Sequence, residues 1–180
     1  VGLPVGAPGP DVVYVVTISN IAGGTISVGQ GGAGIFTQGD RSTIANAGTI
    51  NASDGGFGIG AQGTDISIAN NFAAGMFGQG NGAVITNAGN ITAGDNGSTG
   101  IVLFGDSNTI INSGSIVVGN NLGAGIDVTS GGGTNAIVST GTITVGTVAT
   151  GIRISGSGTV FNSGTINAAA CVLSIAAAWR

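Results

Sequence analysis

The sequence predicts an all-β protein, a right-handed parallel β-solenoid of about seven coils, each with about 24 residues and three short strands. Three observations support this fold class. A five-residue phrase recurs along the chain, a Gly-Ile phrase keeps step with it, and the 180 residues include 38 Gly but no Lys and no Glu. Repetition at a period of roughly 20 to 50 residues indicates a repeat architecture. Thr, Val, Ile, Asn and Gly favour strands and turns over helices.

The first phrase reads Asn46-Ala47-Gly48-Thr49-Ile50, and further copies begin at Asn20 (looser, with one extra residue), Asn87, Asn112, Ser139 and Asn162. Stacked coils place equivalent residues about 4.8 Å apart, so the phrase predicts a ladder of asparagines. We expect the ladder to contain Asn46, Asn87, Asn112 and Asn162, with Ser139 interrupting it. The glycine two residues later suggests a corner with positive φ at Gly48, Gly89, Gly114, Gly141 and Gly164.

The second phrase sets the period of the coil. Its copies begin at Gly34, Gly58, Gly75, Gly100, Gly125 and Gly151, which lie 24, 17, 25, 25 and 26 residues apart. One full coil predicts strands at Gly100–Phe104, Asn108–Asn112 and Ser115–Val118. The coil from Gly58 to Ala74 lacks about seven residues where the third strand belongs, so we expect a shortcut, kink or bulge there.

The chain divides into three predicted regions. Residues 1–10 hold all three prolines and predict an extended segment, residues 11–167 form the solenoid, and residues 168–180 form an apolar cap or contact segment, either an incomplete coil or a short helical lid. The chain starts without Met or a positively charged leader, which suggests a processed mature protein.

The low charge excludes several functional classes. Seven Asp and three Arg give a net charge of −4, without the basic patch that nucleic-acid binding needs. No apolar run is long enough to predict a transmembrane helix. The single cysteine, Cys171, excludes an intrachain disulfide and is expected to be a small buried residue. Low charge with abundant Thr, Asn, Gly and Ser favours a secreted or surface-displayed protein.

Two side-chain stacks are predicted on the outside of the rod. Gln38, Gln62 and Gln79 occupy one position in consecutive coils and predict an outward amide ladder. Asp127 and Arg153 each follow a Gly-Ile pair in adjacent coils, so they should lie one above the other as a solvated ion pair.

Chemistry-bearing residues are scarce, and we predict that the chain is not an enzyme and has no catalytic, metal or cofactor-binding residues. The sequence has no His, Lys or Glu, and nothing activates the thiol of Cys171. A calcium site remains an alternative at two corners, one with Asp40, Asn81 and Asp106 and the other with Asp54 and Asp95. Solvated turn residues are the simpler interpretation.

The repeated phrases Asn-Ala-Gly-Thr-Ile and Gly-Ile-x-x-x-Gly resemble the passenger repeats of bacterial autotransporters and related secreted β-solenoid proteins. The resemblance covers about residues 17 to 167. It implies the solenoid fold, a Gram-negative origin and an extracellular or cell-surface location. The chain lacks the translocator barrel of that family, which favours a standalone subunit.

These patterns predict a structural subunit that polymerises end to end with copies of itself. The expected assembly contacts are the apolar residues of both ends, Val1, Leu3, Pro4, Val12, Val13, Tyr14, Val172, Leu173 and Trp179. One alternative is an adhesin-like rod whose side faces contact a surface or a glycan. A second is ice binding by the outward Thr residues of the third strand, such as Thr142 and Thr144, in a ladder that Ser115 and Val117 interrupt.

Overall fold

The computed structural model describes residues 17–29, 33–38, 41–52, 57–62, 67–73, 75–95, 98–120, 123–169 and 171–176. These residues form β-strands and no helix. The strands are β1 (Thr17–Asn20), β2 (Thr25–Val28), β3 (Ala33–Gln38), β4 (Thr43–Asn46), β5 (Thr49–Ala52), β6 (Phe57–Gln62), β7 (Ser67–Ala73), β8 (Met76–Gln79), β9 (Val84–Ala93), β10 (Thr99–Phe104), β11 (Thr109–Asn112), β12 (Ser115–Val118), β13 (Ala124–Ser139), β14 (Thr142–Val145), β15 (Thr150–Asn162), β16 (Thr165–Ala168) and β17 (Cys171–Ala176).

The strands stack in three parallel columns, which form the three faces of a β-solenoid. Face 1 contains β3, β6, β8, β10, the first part of β13, the first part of β15, and β17. Face 2 contains β1, β4, the first parts of β7 and β9, β11, and the second parts of β13 and β15. Face 3 contains β2, β5, the end of β7, the second part of β9, β12, β14 and β16. The all-β parallel solenoid predicted from the sequence is confirmed.

The number of coils is smaller than predicted. About five coils have a full strand on all three faces, whereas the sequence predicted about seven. The difference lies in the coil at residues 57–73, whose third strand is cut short, and in partial coils at the two ends of the described chain. The predicted strands of the coil at residues 99–118 are confirmed to within one residue at each end.

Alternation of inward and outward side chains creates a dry core. Each strand sends every second residue inward, and the inward residues are mostly Ile that stack on Ile of the next coil. The fully buried residues of successive coils include Ile44, Ile85 and Ile110 on face 2, Ile50, Ile91, Ile116 and Ile143 on face 3, and Ile59, Met76, Ile101, Ile126 and Ile152 on face 1.

The glycine of the first phrase is explained by close packing, and the predicted positive φ is wrong. Gly48, Gly114, Gly141 and Gly164 do not adopt a positive φ. A Cβ added to Gly141 would lie 2.0 Å from the carbonyl oxygen of Gly114 in the previous coil, and the other three face similar contacts with backbone oxygens. The backbones of neighbouring coils approach too closely at this corner for any side chain.

The glycine of the second phrase makes room for the core of another face. A Cβ on Gly100 would lie 2.4 Å from Cγ2 of Ile116, and one on Gly125 would lie 2.3 Å from Cγ2 of Ile143. Gly-Ile therefore combines two roles: the glycine receives an isoleucine from face 3, and the isoleucine that follows fills the core.

The predicted shortcut in the coil at residues 57–73 is confirmed. Strand β7 pairs with β9 at Asn70 and Asn87, shifts register, and resumes at Phe72 and Asn90. Ala73 then lies in register with Ile50 of the coil before and Ile91 of the coil after. Phe72 and Ala73 thus occupy the position of a four-residue strand on face 3, which accounts for the missing residues.

The C-terminal region continues the solenoid as an incomplete coil. Strand β17 pairs with β15, with Cys171 in register with Thr150 and Ala176 in register with Ser155. Of the two predicted alternatives for this region, the incomplete coil is therefore the one observed. The N-terminal segment 1–10 and the start of the predicted solenoid, residues 11–16, lie outside the described residues.

Candidate interaction surface

The outer side of face 1 bears a line of apolar side chains. In each coil two residues of this face point outward, and the first of these positions holds Phe36, Gly60, Phe77 and Val102 in successive coils. The second position holds Phe104, in register with Gln79 below it. Phe36 is 51% exposed and Phe104 is 41% exposed. We call Phe36, Phe77, Val102 and Phe104 the aromatic stripe.

Local packing fixes the rings of the aromatic stripe. Gly60 leaves space between two rings, and the ring of Phe36 lies over it, since a Cβ on Gly60 would be 2.7 Å from Cδ2 of Phe36. The rings of Phe77 and Phe104 contact each other with centroids 5.9 Å apart and planes tilted by 57°. This separation lies within the range of favourable aromatic pairs.

Amide side chains border the aromatic stripe. The backbone register places Gln38, Gln62 and Gln79 at the same position in three successive coils, as predicted. Gln38 and Gln79 are exposed, and the side chain of Gln62 lies outside the described part of the structure. Face 1 therefore presents aromatic rings beside amides on one rigid sheet.

The predicted pair of Asp127 and Arg153 is confirmed next to the aromatic stripe. The two residues lie in register in adjacent coils. Arg153 donates from Nε to Oδ1 of Asp127 over 2.9 Å and from Nη2 to Oδ2. The hydrogen bonds to Asp127 raise the pKa of Arg153 above its ordinary value, burial lowers it, and the charge of Asp127 raises it. The arginine is held by two contacts while its outer edge remains accessible to solvent.

The aromatic stripe was not identified by sequence analysis. A signal was present, because Phe36 and Phe77 both directly follow the second residue of a Gly-Ile phrase or its variant Gly75-Met76.

The predicted asparagine ladder lies inside the rod, on face 2. Asn20 donates its amide to Oδ1 of Asn46 over 2.8 Å, and Asn87 donates to Oδ1 of Asn112 over 2.8 Å. The hydroxyl of Ser139 accepts a hydrogen bond of 3.3 Å from Asn112. In these three contacts the amide donates towards the C-terminal coil, which satisfies polar groups that are otherwise costly to bury. In the next coil Asn162 is exposed and donates its amide to the carbonyl oxygen of Gly164. Among the described side chains the ladder therefore ends at Ser139, in agreement with the predicted interruption.

The aspartates of the corners act as caps for the backbone of the next coil. Asp106 accepts hydrogen bonds from the amides of Gly131 (2.9 Å) and Gly132 (3.3 Å), and its own amide donates to Oδ1 of Asn81. At the other corner Asp95 accepts from the amide of Asn120 over 2.7 Å. These bonds support the interpretation of turn residues. The remaining members of the predicted calcium corners, Asp40 and Asp54, lie outside the described residues.

The hydroxyl residues of face 3 point outward, as predicted. Thr92, Val117 and Thr144 follow one another in register, and Val117 is exposed between the two threonines. The hydroxyl array that ice binding would require is therefore interrupted in the middle of the face, and ice binding stays a prediction.

Strands β15 and β16 form the last described coil on faces 2 and 3. Val160 and Ile166 are only partly buried there, whereas their equivalents one coil earlier, Ile137 and Ile143, are at most 1% exposed. The outward Phe161 is 62% exposed.

Most of the residues predicted as assembly contacts lie outside the described residues. Val172 and Leu173 lie in β17, where the strand but not the side chains is described. Val1, Leu3, Pro4, Val12, Val13, Tyr14 and Trp179 lie outside the described residues.

Two further observations concern metals and membranes. Within the described ranges, no three His, Cys, Asp or Glu side chains come together to hold a metal ion. The described residues also include no helix with the length and apolar character needed to cross a membrane.

Comparison with known proteins leaves the fold as the established feature of this chain. No protein-family model, curated protein or solved structure matches it. The likeness of its phrases to autotransporter passenger repeats therefore stays a prediction, and what the structure shows is a parallel β-solenoid.

Proposed function

We propose that this chain is a non-enzymatic, adhesin-like rod that binds an extracellular surface through face 1. The observation that supports this function best is the aromatic stripe, in which two phenylalanines, Phe36 and Phe104, are 51% and 41% exposed on the same face. Aromatic side chains held side by side on a rigid surface and bordered by polar residues can supply the apolar contact area of a binding site.

The rigidity of the solenoid favours binding. Each strand of face 1 is hydrogen-bonded to the strands above and below it, as in the pairings of β8 with β6 and β10. Because Gly60 seats Phe36 and because Phe77 contacts Phe104, the rings lose little conformational freedom when a partner binds. Such preorganisation lowers the entropic cost of association.

The charge of the face favours a contact that does not depend on long-range attraction. Asp127 and Arg153 neutralise each other at the border of the stripe, and the chain has a net charge of −4. The proposal includes an extracellular location on a bacterial surface. The low charge of the chain and the likeness of its phrases to autotransporter repeats support this location.

A binding assay with matched variants tests the proposal. Fluorescently labelled protein is added to intact cells and to isolated extracellular matrix, and the bound fraction is measured for wild type, the double variant Phe36→Ala/Phe104→Ala and the control Phe161→Ala. The control removes a ring that is 62% exposed on face 2. We expect the double variant to bind at least about a hundredfold less and the control to bind like wild type, since each of the two rings contributes about 1.5–3 kcal/mol when a partner buries it. Equal binding by all three proteins would contradict the proposal.

End-to-end assembly is the second candidate function, and the partial burial of Val160 in β15 and Ile166 in β16 favours it. The partly buried Val160 and Ile166 would be covered if the first coil of a second copy, with Ile18 and Ile26, stacked on them. Open sheet edges template pairing with another strand, and a head-to-tail contact that does not close builds a filament.

Sedimentation velocity and electron microscopy over a range of concentrations test this second candidate. We expect filaments that shorten or disappear in the variant Phe161→Lys, because a charge beside the edge opposes strand pairing. Short single rods at every concentration would contradict end-to-end assembly.

A further inference from the structure

We infer that the ligand of the aromatic stripe is a linear, neutral polysaccharide that lies along the axis of the rod. This inference rests on the binding function proposed for face 1 and adds the chemical class of the partner. Four features of the face lead to it: its narrow shape, its pairing of rings with amides, the spacing of the rings and its lack of net charge.

The aromatic stripe is too narrow for a globular protein partner. Its four coils extend over three steps of about 4.8 Å, or roughly 14 Å, and its two outward positions are about 7 Å apart along the strand. The resulting area is roughly 100 Å², whereas a stable protein interface buries about 800 Å² on each partner. A long and narrow strip fits a linear polymer that extends beyond it at both ends.

The chemistry of the stripe matches both sides of a sugar ring. A pyranose has an apolar face of C–H groups, which packs on a flat aromatic ring such as Phe36 or Phe104. Its rim carries hydroxyls, which exchange hydrogen bonds with amide groups such as those of Gln38 and Gln79. Small-ligand sites generally combine apolar contact with a few polar groups that set orientation.

The spacing of the rings fits an extended glycan. Phe36 and Phe77 are two coils apart, about 9.6 Å at the spacing of strands, and Gly60 lies between them without a side chain. In an extended β-linked polysaccharide, alternate sugars present the same face to one side. The ring of Phe36 covers Gly60 in the coil between them, and Phe77 contacts Phe104 of the next coil. Successive sugars of an extended chain can therefore pack along this row of rings without a gap at Gly60.

The charges near the stripe favour a neutral polymer over an anionic one. Among the described residues of face 1, Arg153 is the cation, and Asp127 already binds it through two contacts. The guanidinium keeps further N–H donors at its solvent-exposed edge, which suit hydroxyl groups. The net charge of −4 disfavours the approach of a polyanion.

Isothermal titration calorimetry and affinity gel electrophoresis test the inference with defined probes. The probes are a soluble mixed-linkage β-glucan, a galactomannan, a soluble starch and, as the anionic control, heparin. We expect saturable binding of at least one neutral polysaccharide and none of heparin. Absence of binding to all three neutral polymers, or binding to heparin alone, would overturn the inference.

Variants of the stripe locate the binding site. Phe104→Ala should weaken binding about tenfold and Phe104→Tyr should preserve it, since a tyrosine keeps the ring. Gly60→Ala should also weaken binding, because its Cβ displaces the ring of Phe36. Phe161→Ala on face 2 should bind as wild type does. Thermal unfolding confirms that each variant is folded, and equal weakening by Phe161→Ala and Phe104→Ala would overturn the assignment to face 1.

The two proposals fail in different ways. If labelled protein binds cells through the stripe and none of the neutral polysaccharides binds or competes, the polysaccharide inference is wrong and the adhesive function stands. If a polysaccharide binds the stripe and no cell or matrix binding is seen, the adhesive function is wrong and the ligand class stands.

Discussion

Asn112 in one coil donates its side-chain amide to the hydroxyl of Ser139 in the next coil, over 3.3 Å. The equivalent contact one coil earlier, from Asn87 to Asn112, is shorter at 2.8 Å. Ser139 is fully buried at a position where most coils have asparagine. The serine therefore accepts the bond from Asn112 at a longer distance, and in the next coil the amide of Asn162 donates to the carbonyl oxygen of Gly164 and not to the serine.

Replacing Ser139 by asparagine should strengthen the ladder. We expect Ser139→Asn to raise the free energy of unfolding by about 0.5–1 kcal/mol, because a buried hydrogen bond contributes about 1 kcal/mol net. Ser139→Ala should lower it by about 1 kcal/mol, since the amide of Asn112 loses its acceptor. Thermal and urea unfolding measure both changes. A loss of stability in Ser139→Asn would show that this coil lacks room for the larger side chain.

The glycine of the first phrase should tolerate no side chain. A Cβ on Gly141 would meet the carbonyl oxygen of Gly114 at 2.0 Å, whereas one on Gly29 would meet nothing within 4 Å. We expect Gly141→Ala to destabilise the protein by about 3 kcal/mol or more, because the backbones of two coils must separate. Gly29→Ala is the matched control, and its midpoint in urea should change little. Similar midpoints for the two variants would contradict the close approach of the coils.

Val148 should be replaceable with a gain in stability. It has a φ of 59° and is 59% exposed. A β-branched residue in this left-handed conformation costs roughly 1–2 kcal/mol. Val148→Asn should therefore raise the unfolding free energy by about 1 kcal/mol. Val117→Asn, at an exposed position in β12, should not stabilise, since asparagine disfavours strands. Equal shifts in the two variants would exclude backbone strain as the cause.

The pair of Asp127 and Arg153 should contribute little to stability. Arg153 is partly exposed, and such pairs are worth about 0–1 kcal/mol. Asp127→Asn should lower the unfolding free energy by less than about 1 kcal/mol, and added salt should reduce that difference.

The dependence of this contribution on pH follows from the pKa of Arg153. That pKa is raised in the folded state by the hydrogen bonds to Asp127, so the arginine's contribution is complete below its unfolded pKa and is lost only as the pH rises through its folded value. Because both values lie in the strongly alkaline range, raising the pH from 7 to 10 should leave the effect of Asp127→Asn unchanged. If the difference in unfolding free energy between wild type and Asp127→Asn disappeared between pH 7 and 10, Arg153 would not be the titrating partner of Asp127.

The features that repeat in the sequence were the ones that could be predicted. Ile110, Ile137 and the other inward residues recur at a constant period, so the parallel stacking and the core follow from the sequence. The reason why a glycine recurs at the position of Gly141 in other coils could not be predicted, because the contact with Gly114 depends on how closely two backbones approach in three dimensions. Handedness follows from the general preference of parallel crossovers for a right-handed turn and stays a prediction.

The features that depart from the repeat were harder to predict. The aromatic stripe combines Phe77 from one outward position with Phe104 from the other, and only the packed coils show that these rings meet. The number of complete coils was overestimated because only Phe72 and Ala73 take the place of a strand. Ser139 was expected to interrupt the ladder, and the side-chain bonds between the described coils do end there. The pattern of residue types did not show that its hydroxyl accepts a bond from Asn112.

The most direct test of the central claim, that face 1 is the binding surface, is amide NMR spectroscopy of the ¹⁵N-labelled protein during titration with soluble mixed-linkage β-glucan, galactomannan and soluble starch in turn. With the polysaccharide that binds, we expect shift changes to cluster at residues 36–38, 77–79, 102–104 and around Arg153, with faces 2 and 3 unaffected. Changes confined to faces 2 and 3 or to the last described coil at residues 159–168, or no changes with any of these polymers, would contradict the account.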